Sequence, residues 1–181
     1  MDRRKKNIIE LTRVSVEEYH NMDKLPLTLM ADNVRSAQNI GAMLRTSDAM
    51  LLRGMIMAGI SAVPPSQEIS KTALGAEESV DWRYVADAFD EVKRLKENGV
   101  RVYVLEQTHN SIPLQNLSLS GAPDEEYLLV AGNEVKGVDQ RIVDIADAAL
   151  EIPMHGIKHS LNVAVSTGMA IWQFYQLLTN H

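Results

Sequence analysis

The strongest constraint in this sequence is an apolar run that ends abruptly in a polar turn. Residues 127–131 read Tyr-Leu-Leu-Val-Ala, and residues 132–138 read Gly-Asn-Glu-Val-Lys-Gly-Val, so that two glycines flank one carboxylate. A short continuous apolar run bounded by turn residues is typical of a buried strand. The pattern therefore predicts a buried strand that delivers Glu134 into a tight, exposed turn.

Strands and helices alternate along most of the chain. Between the strands lie helical patterns, such as the amphipathic segment that Asp87 can cap and that ends at Asn98 and Gly99. This alternation predicts an α/β fold with a mostly parallel six-stranded sheet and helices on both faces. Residues 108–126 show no period and are expected to form a long surface connection. The strands are predicted at residues 25–31, 54–59, 80–85, 100–105, 127–131 and 148–152.

Length and composition fit one domain with a small appendage. The chain has 181 residues, of which 45% are hydrophobic and 23% charged, as in ordinary globular proteins. We expect residues 1–24 to form an N-terminal helical appendage and residues 25–181 to form the domain. Within the appendage, residues 4–12 permit a helix, and the spacing of Ser15 and Glu18 is that of a capping box. The sequence shows no signal peptide or membrane-spanning pattern, which predicts the cytoplasm.

Composition and missing motifs exclude several common sites. The chain has no cysteine, so disulfides and thiolate zinc sites are excluded. It also lacks the glycine-rich phosphate and dinucleotide loops, the zinc-protease helix and the serine-hydrolase elbow. His155 and His159 are expected to be exposed loop residues, and no metal is predicted. The net charge is −6, so a nucleic acid must find a local basic patch, such as the four basic residues against one aspartate in residues 1–6.

Polar side chains follow three of the predicted strands at the points where the strands end. Asn39 and Arg45 follow the first strand, Glu134 the fifth, and Ser160 and Asn162 the sixth. Because the carboxyl ends of parallel strands lie along one edge of a sheet, we expect these side chains to converge. An arginine can hold a phosphate or carboxylate with two hydrogen bonds, and a carboxylate can bind sugar hydroxyls. The spacing therefore predicts a binding pocket of unspecified ligand.

Two helical features carry further expectations. Gly41 lies inside the predicted helix after the first strand, where glycine costs about 1 kcal/mol relative to alanine. Its presence predicts a close approach of a backbone or a ligand. The C-terminal helix, predicted from about Ser160 to Leu178, is apolar around more than one face. Such a helix is expected to be buried on several sides, against the sheet and against a second copy of the chain.

Three segments resemble the motifs of the SpoU/TrmH branch of the SPOUT RNA methyltransferases. Residues 39–46 read Asn-Ile-Gly-Ala-Met-Leu-Arg-Thr, residues 132–137 read Gly-Asn-Glu-Val-Lys-Gly, and residues 152–163 read Ile-Pro-Met-His-Gly-Ile-Lys-His-Ser-Leu-Asn-Val. They occur in the family's order, and three linked motifs are far more specific than any one. Residues 71–77 and 105–108 are also similar to a compact bacterial subgroup of that branch.

The resemblance implies both a fold and an activity. The fold would be the α/β-knot, in which the C-terminal segment is threaded through a loop as a deep trefoil knot, a rare exception among proteins. The chain would be a homodimer that transfers a methyl group from S-adenosylmethionine to a ribose 2′-hydroxyl of tRNA or rRNA. An alternative from another class is a non-catalytic RNA- or nucleotide-binding module on the same knotted fold.

The resemblance also assigns site residues. Arg45 would activate the ribose hydroxyl or grip its phosphate, with Asn39 orienting that arginine and Glu134, Ser160 and Asn162 completing the ribose site. Because a guanidinium gives up its proton only with difficulty, positioning of the reactants is an equally good account of the rate. The cofactor would lie against the backbone around Ala131, Gly132, Ile152, Met154 and Leu161.

The sequence departs from the family pattern in two respects. Leu51 stands where the first motif usually closes with glycine. A separate N-terminal RNA-recognition domain is also not found, so substrate selection is expected to depend on the dimer surface, on the basic residues 1–6 and on a few scattered cations. The latter are Arg35, Lys71, Lys136 and Lys158.

Overall fold

The sheet has seven strands, and neighbouring strands pair in parallel throughout. The structure, a computed structural model, describes residues 3–7, 14–120, 122 and 124–179. The spatial order of the strands is β3-β2-β1-β6-β4-β7-β5. Their bounds are β1 (Leu25–Asp32), β2 (Leu52–Ala58), β3 (Trp82–Val85), β4 (Arg101–Leu105), β5 (Ile112–Pro113), β6 (Tyr127–Ala131) and β7 (Ala148–Glu151).

Helices cover both faces of this sheet, as predicted. One hydrophobic core lies between the sheet and the helices α2, α3 and α7, and a second core lies between the other face and the helices α5 and α6. A 3₁₀ turn, Leu114–Asn116, follows β5. The helices are α1 (Val16–His20), α2 (Ala37–Ala49), α3 (Gln67–Ala73), α4 (Ala76–Ser79), α5 (Ala88–Glu97), α6 (Gln140–Ile145) and α7 (Val163–Thr179).

Strand β6 is the centre of the fold, and all five of its residues are buried. Tyr127, Leu129 and Ala131 belong to one core, whereas Leu128 and Val130 belong to the other. Alternate residues of a strand point to opposite faces, so a strand covered on both faces is apolar throughout. The prediction of a buried strand over these residues is confirmed.

The sheet has one strand more than the six that were predicted. The additional strand β5 comes from the segment predicted to be a surface connection, and it forms the edge of the sheet beside β7. Two residues, one of them Pro113, are too few to show an alternating pattern, although Leu114 and Leu117 beyond them are buried. Helix α6 was also not predicted.

The ends of the chain differ in how far they match expectation. The capping box of α1 is confirmed: the Ser15 hydroxyl accepts the N–H of Glu18 at 3.1 Å, and the Ser15 N–H donates to the Glu18 carboxylate at 2.7 Å. Of the helix predicted over residues 4–12, residues 8–12 lie outside the described residues, and residues 4–7 have no helical structure. None of the described helices combines the length and apolarity needed to cross a membrane.

Helix α7 is buried on one face only within the single chain. Thr167, Ala170, Ile171 and Phe174 are buried against the sheet. The opposite face leaves large apolar side chains exposed, so the predicted burial against the sheet is confirmed and the burial against a second copy stays a prediction. These exposed residues, which we call the α7 stripe, are Val165, Met169 and Trp172.

Leu51 has a backbone conformation that glycine normally supplies. Its φ is +53°, in the left-handed region, and its carbonyl accepts the N–H of Leu25 at 2.8 Å. The turn before β2 therefore has the geometry expected of a glycine turn, although a leucine occupies it. A left-handed conformation at a residue with a Cβ costs about 1–2 kcal/mol.

Gly41 marks a close backbone approach between α2 and α3, as its position in a helix predicted. A Cβ built on Gly41 would lie 2.0 Å from the Thr72 hydroxyl and 2.5 Å from the carbonyl oxygen of Ile69. The hydroxyl belongs to a side chain and can move, but the carbonyl belongs to the backbone of α3. The two helices can therefore approach this closely only with glycine here.

We expect Gly41→Ala to lower the free energy of unfolding by about 2 kcal/mol. Overpacking against a backbone costs up to about 3 kcal/mol, and the higher helix propensity of alanine returns about 1 kcal/mol. Urea unfolding measures the difference. The control adds Thr72→Ala to Gly41→Ala, which removes the nearer atom and leaves the Ile69 carbonyl in place. Full rescue by Thr72→Ala would contradict a backbone constraint.

Candidate functional site

The turn after β6 is a closed loop that presents Glu134. The N–H of Asn133 donates to the Gly137 carbonyl at 3.0 Å, and the N–H of Gly137 donates back to Asn133 at 2.9 Å. The Asn133 side chain accepts the N–H groups of Val135 and Lys136 at 2.9 and 3.0 Å. Gly137 has a φ of +71°, which glycine adopts without strain. The predicted tight, exposed turn at Glu134 is confirmed.

Carboxylates from both strands beside β6 hold the end of this turn. The N–H of Val138 donates to Glu106, which follows β4, at 3.1 Å. The next N–H, that of Asp139, donates at 2.9 Å to Asp32, the last residue of β1. Burial raises the pKa of Asp32, and the hydrogen bonds from the Asp139 backbone and the Asn33 side chain oppose that rise only in part. We call Asp32 and Glu106 the carboxylate clamp.

The turn also depends on Gly132, the first residue after β6. A Cβ at this position would lie 2.2 Å from the Gly137 carbonyl carbon and 2.2 Å from the Val138 nitrogen. Both contacts are with backbone, so neither can relax without moving the turn. Glycine is therefore required where the turn folds back against the strand end.

Three of the predicted site residues form a chain of hydrogen bonds. The Asn39 amide nitrogen donates to the Glu134 carboxylate at 3.1 Å, and the Asn39 oxygen accepts the Asn162 amide nitrogen at 3.1 Å. The Ser36 backbone N–H also points to Glu134, at 3.4 Å. This chain, which we call the Asn39 network, links α2, the turn after β6 and the start of α7.

Asn162 has a second task, because it caps α7. Its side-chain oxygen accepts the N–H of Ala164 at 2.9 Å and that of Val165 at 3.3 Å. These amides have no partner inside the helix, and an asparagine cap satisfies them. The cap uses the oxygen of the amide and leaves the nitrogen to reach Asn39. One side chain thus fixes both the start of the helix and the orientation of Asn39.

Glu134 remains ionised at neutral pH. Partial burial acts to raise its pKa, but hydrogen bonds from its own backbone N–H, the Asn39 side chain and the Ser36 backbone outweigh burial. The pKa of Glu134 therefore lies below its ordinary value. The site offers a fixed carboxylate with oxygen lone pairs still open to solvent, suited to accept hydrogen bonds from hydroxyl groups.

A cavity of about 580 Å³ opens beside this network, at the carboxyl ends of β4, β6 and β7. Its volume lies within the usual range for a site that holds a small molecule. Glu134, Ser160 and Asn162 of the predicted ribose site line it. All five residues predicted to hold the cofactor also line it, namely Ala131, Gly132, Ile152, Met154 and Leu161.

Arg45 is the one predicted site residue that the single chain does not bring to the others. It is exposed on α2, six residues beyond Asn39, which corresponds to about 9 Å along the helix axis. It does not line the cavity, and its side chain makes no hydrogen bond or salt bridge with the part of the chain that the structure describes. Its role stays a prediction.

The sequence reasoning missed two residues after β4 that line the cavity. Glu106 belongs to the clamp, and the Gln107 side chain donates to the His159 carbonyl at 2.8 Å, which ties the loop after β7 to the end of β4. Both follow directly on a predicted strand. The signal that identified the other site residues, a polar side chain at a strand end, was therefore present here as well.

The cavity is anionic. Glu106, Glu134 and Glu151 line it, at the ends of three neighbouring strands, whereas none of the described lysines or arginines does. His155 and His159, predicted to be exposed, are exposed in the loop after β7. The cavity therefore suits a ligand with net positive charge, since each carboxylate favours a nearby cation.

Comparison with known proteins gives a family and a close relative. The model of the SpoU rRNA methylase family matches residues 26–172, a segment that contains all three motifs. The chain is 32% identical over 151 residues to the 23S rRNA (guanosine-2′-O-)-methyltransferase RlmB of Neisseria meningitidis serogroup B. The match covers 83% of this chain and 58% of that relative. The chain thus spans about three fifths of the relative's length.

Solved structures share the fold. The A. aeolicus TrmH/SpoU tRNA modifying enzyme superposes with a TM-score of 0.78 at 25% identity, covering 90% of this chain and 81% of that one. The AdoMet-bound rRNA methyltransferase from Sinorhizobium meliloti superposes with a TM-score of 0.77 at 24% identity, covering 88% and 60%. The second likeness, at its lower identity, concerns the fold alone.

We expect Asn39→Asp to make stability fall as pH rises, whereas Asn39→Ala does not. The new carboxylate would face Glu134 in place of an amide donor, and like charges raise the pKa of the pair above the unfolded values. A raised carboxyl pKa means that the penalty is absent when the pair is protonated and grows as pH rises through it. Between pH 4 and pH 8 we expect the free energy of unfolding of Asn39→Asp to fall by about 1 kcal/mol relative to Asn39→Ala, a value that allows for solvent screening. Thermal unfolding across pH measures this, and parallel profiles for the two variants would contradict the Asn39–Glu134 contact.

Proposed function

The chain belongs to the SpoU rRNA methylase family, and on that premise we propose that it transfers a methyl group from S-adenosylmethionine to a ribose 2′-hydroxyl of tRNA or rRNA. The prediction of the SpoU/TrmH family is confirmed by the family match and by the RlmB relative. The observation that carries the proposed activity is the cavity itself. Two of the three motifs line it, and the third supplies Asn39, which bonds to both.

The residues of the cavity fit S-adenosylmethionine. When bound, it supplies an activated methyl group on a sulfonium centre, and it carries one net positive charge. The backbone around Gly132 and Met154 would hold it, with Leu161 and Ile152 as apolar walls. The three carboxylates would favour this cation over S-adenosylhomocysteine, which has lost the charge. The structure of the S. meliloti enzyme with the same fold contains AdoMet, which supports this assignment.

The Asn39 network supplies a ribose site beside the cofactor. Glu134 accepts hydrogen bonds from ribose hydroxyls, Ser160 and Asn162 line the same wall, and Asn39 orients Glu134. Arg45 would grip the adjacent phosphate or activate the hydroxyl once RNA is present. We assign most of the rate to the orientation of the hydroxyl and the methyl group.

The proposal includes a homodimer and the trefoil knot. The α7 stripe is an exposed apolar face on one side of a helix, and a second copy of the chain would cover it. Arg45, exposed on α2 and outside its own cavity, is then available to the site of that copy. The knot is supported by the path of the chain, which runs from the edge strand β5 to the central β6 and back outward to β7.

The position of Arg45 outside the network favours a second candidate, a non-catalytic RNA- or nucleotide-binding module on the same fold. The two candidates differ in one measurable step. Both bind ligands in the cavity, but only the enzyme changes the RNA. The methylated product is also distinctive, because a ribose without a free 2′-hydroxyl resists alkaline cleavage at its 3′ phosphodiester.

We expect S-adenosylmethionine to bind with measurable heat, and labelled methyl to pass to bulk tRNA or rRNA and appear in alkali-resistant dinucleotides. The matched variant is Asn162→Asp, whose carboxylate still caps α7 but cannot donate to Asn39. It should retain cofactor binding and lose at least about tenfold in transfer, through misorientation. Cofactor binding with no transfer to any RNA would favour the binding module, and no binding to folded protein would contradict both the cofactor and the enzyme.

We expect Trp172→Glu, or Met169→Glu, to convert a dimer into a folded monomer. A charge in the buried centre of an apolar interface costs several kcal/mol, which exceeds what a dimer of ordinary affinity tolerates. Sedimentation measures the mass, and circular dichroism verifies the fold. The control is Tyr84→Glu, at an exposed position on the edge strand β3. A wild-type monomer of 20.1 kDa at micromolar concentration would refute the dimer.

A further inference from the structure

Two apolar side chains beside the cavity are almost entirely exposed. Val135 and Ile157 are each 92% exposed, more than any other large apolar residue of the described chain. Val135 lies in the turn after β6 and lines the cavity mouth. Ile157 lies in the loop after β7, between Met154 and His159, which both line the cavity. Neither side chain serves the core of the protein.

An exposed lysine follows each of these residues directly. Lys136 follows Val135, and Lys158 follows Ile157. Neither lysine forms a salt bridge with any residue that the structure describes. Residues 152–162 contain no aspartate or glutamate. The two loop tips therefore repeat one combination, an exposed aliphatic group beside an unpaired cation.

The sheet places the bases of these two loops at a fixed separation. β6 and β7 lie on either side of β4, so their ends are two strand spacings apart, about 10 Å. Between them opens the anionic cavity. We call the two loop tips the rim; Glu134 lies in the same turn as Val135 and Lys136, and Glu106 and Glu151 line the cavity between the loops.

A nucleotide has two parts that complement each loop tip. Its apolar base face can contact the aliphatic side chain, and its anionic phosphate can contact the lysine. The chain as a whole carries a charge of −6, so RNA must be drawn to a local cationic surface. The rim is such a surface, and it adjoins the proposed ribose site.

We propose that Val135–Lys136 and Ile157–Lys158 form a two-sided clamp for the RNA strand, with the aliphatic side chains against bases and the lysines on phosphates flanking the target ribose. This inference rests on the proposed function. It adds the surface that recognises RNA next to the reacting nucleotide. Its contacts are independent of sequence where lysine meets phosphate, and sensitive to base stacking where Val135 and Ile157 make contact.

The test separates the two kinds of contact with unfractionated tRNA as the probe. Lys136→Ala and Lys158→Ala should each reduce the slope of log affinity against log salt by about 0.7–0.9, the value for one phosphate contact. Val135→Ser and Ile157→Ser should each weaken binding by about tenfold at constant slope, since they remove apolar contact and no charge. Lys136→Ala, Lys158→Ala and Ile157→Ser, whose side chains do not line the cavity, should bind S-adenosylmethionine as the wild type does, measured by calorimetry.

Matched controls lie away from the cavity. Lys93→Ala removes an exposed lysine of α5, and Val16→Ser removes an exposed valine of α1, which precedes the amino end of β1, whereas the cavity lies at the carboxyl ends of the strands. Neither should change tRNA affinity or salt slope. Wild-type protein that methylates RNA while the rim variants bind tRNA normally would overturn the clamp and leave the proposed function intact. Loss of the dimer in Val135→Ser or Ile157→Ser, seen by sedimentation, would assign the rim to the subunit interface and also overturn it.

Discussion

The site depends on the close packing of backbone where the turn after β6 folds back on the strand. Gly132 meets the backbone of Gly137 and Val138 at a distance that admits no Cβ. The N–H of Val138 donates to Glu106, and the N–H of Asp139 donates to Asp32. These carboxylates end β4 and β1, the two strands that flank β6 in the sheet. The position of Glu134 is therefore set by the register of three parallel strands rather than by its own loop. This is how a short exposed turn reaches the fixed geometry that a reacting site requires.

Acidic and basic side chains occupy different positions around the cavity. Glu106, Glu134 and Glu151 line the cavity, and Lys136 and Lys158, which form no salt bridge with the described residues, stand on the loop tips beside it. The net charge of −6 repels RNA at long range, so the rim must act locally, within about one Debye length. In the proposed function, the carboxylates of the cavity would attract the cationic cofactor and the lysines of the rim would attract the polyanionic substrate, so the two ligands would use separate contacts.

What the sequence could predict follows from how local each signal is. β6 could be predicted because burial on both faces makes every residue apolar, and the convergence of Glu134, Ser160 and Asn162 follows from the common edge of a parallel sheet. β5 could not be predicted, since a strand of two residues is too short to show an alternating apolar pattern. The carboxylate clamp could not be predicted either, because Asp32 and Asp139 lie 107 residues apart and only the sheet order makes them neighbours. Arg45 was also expected at this edge because it follows the first strand, but it lies six residues beyond Asn39 on α2 and does not line the cavity in the single chain.

Helix α7 joins the core, the site and the proposed interface in one rigid body. Its N-cap residue, Asn162, orients Asn39 through the side-chain amide nitrogen. Ile171 and Phe174 are buried and fix the helix against the sheet. The α7 stripe lies on the opposite face of the same helix, where a partner would bind. A shift of the helix by an ångström would therefore move the Asn162 nitrogen out of hydrogen-bond range of Asn39, because that contact is already 3.1 Å long. In the proposed dimer, covering the stripe would hold the helix from its outer side, so assembly and site geometry would be coupled through a single asparagine.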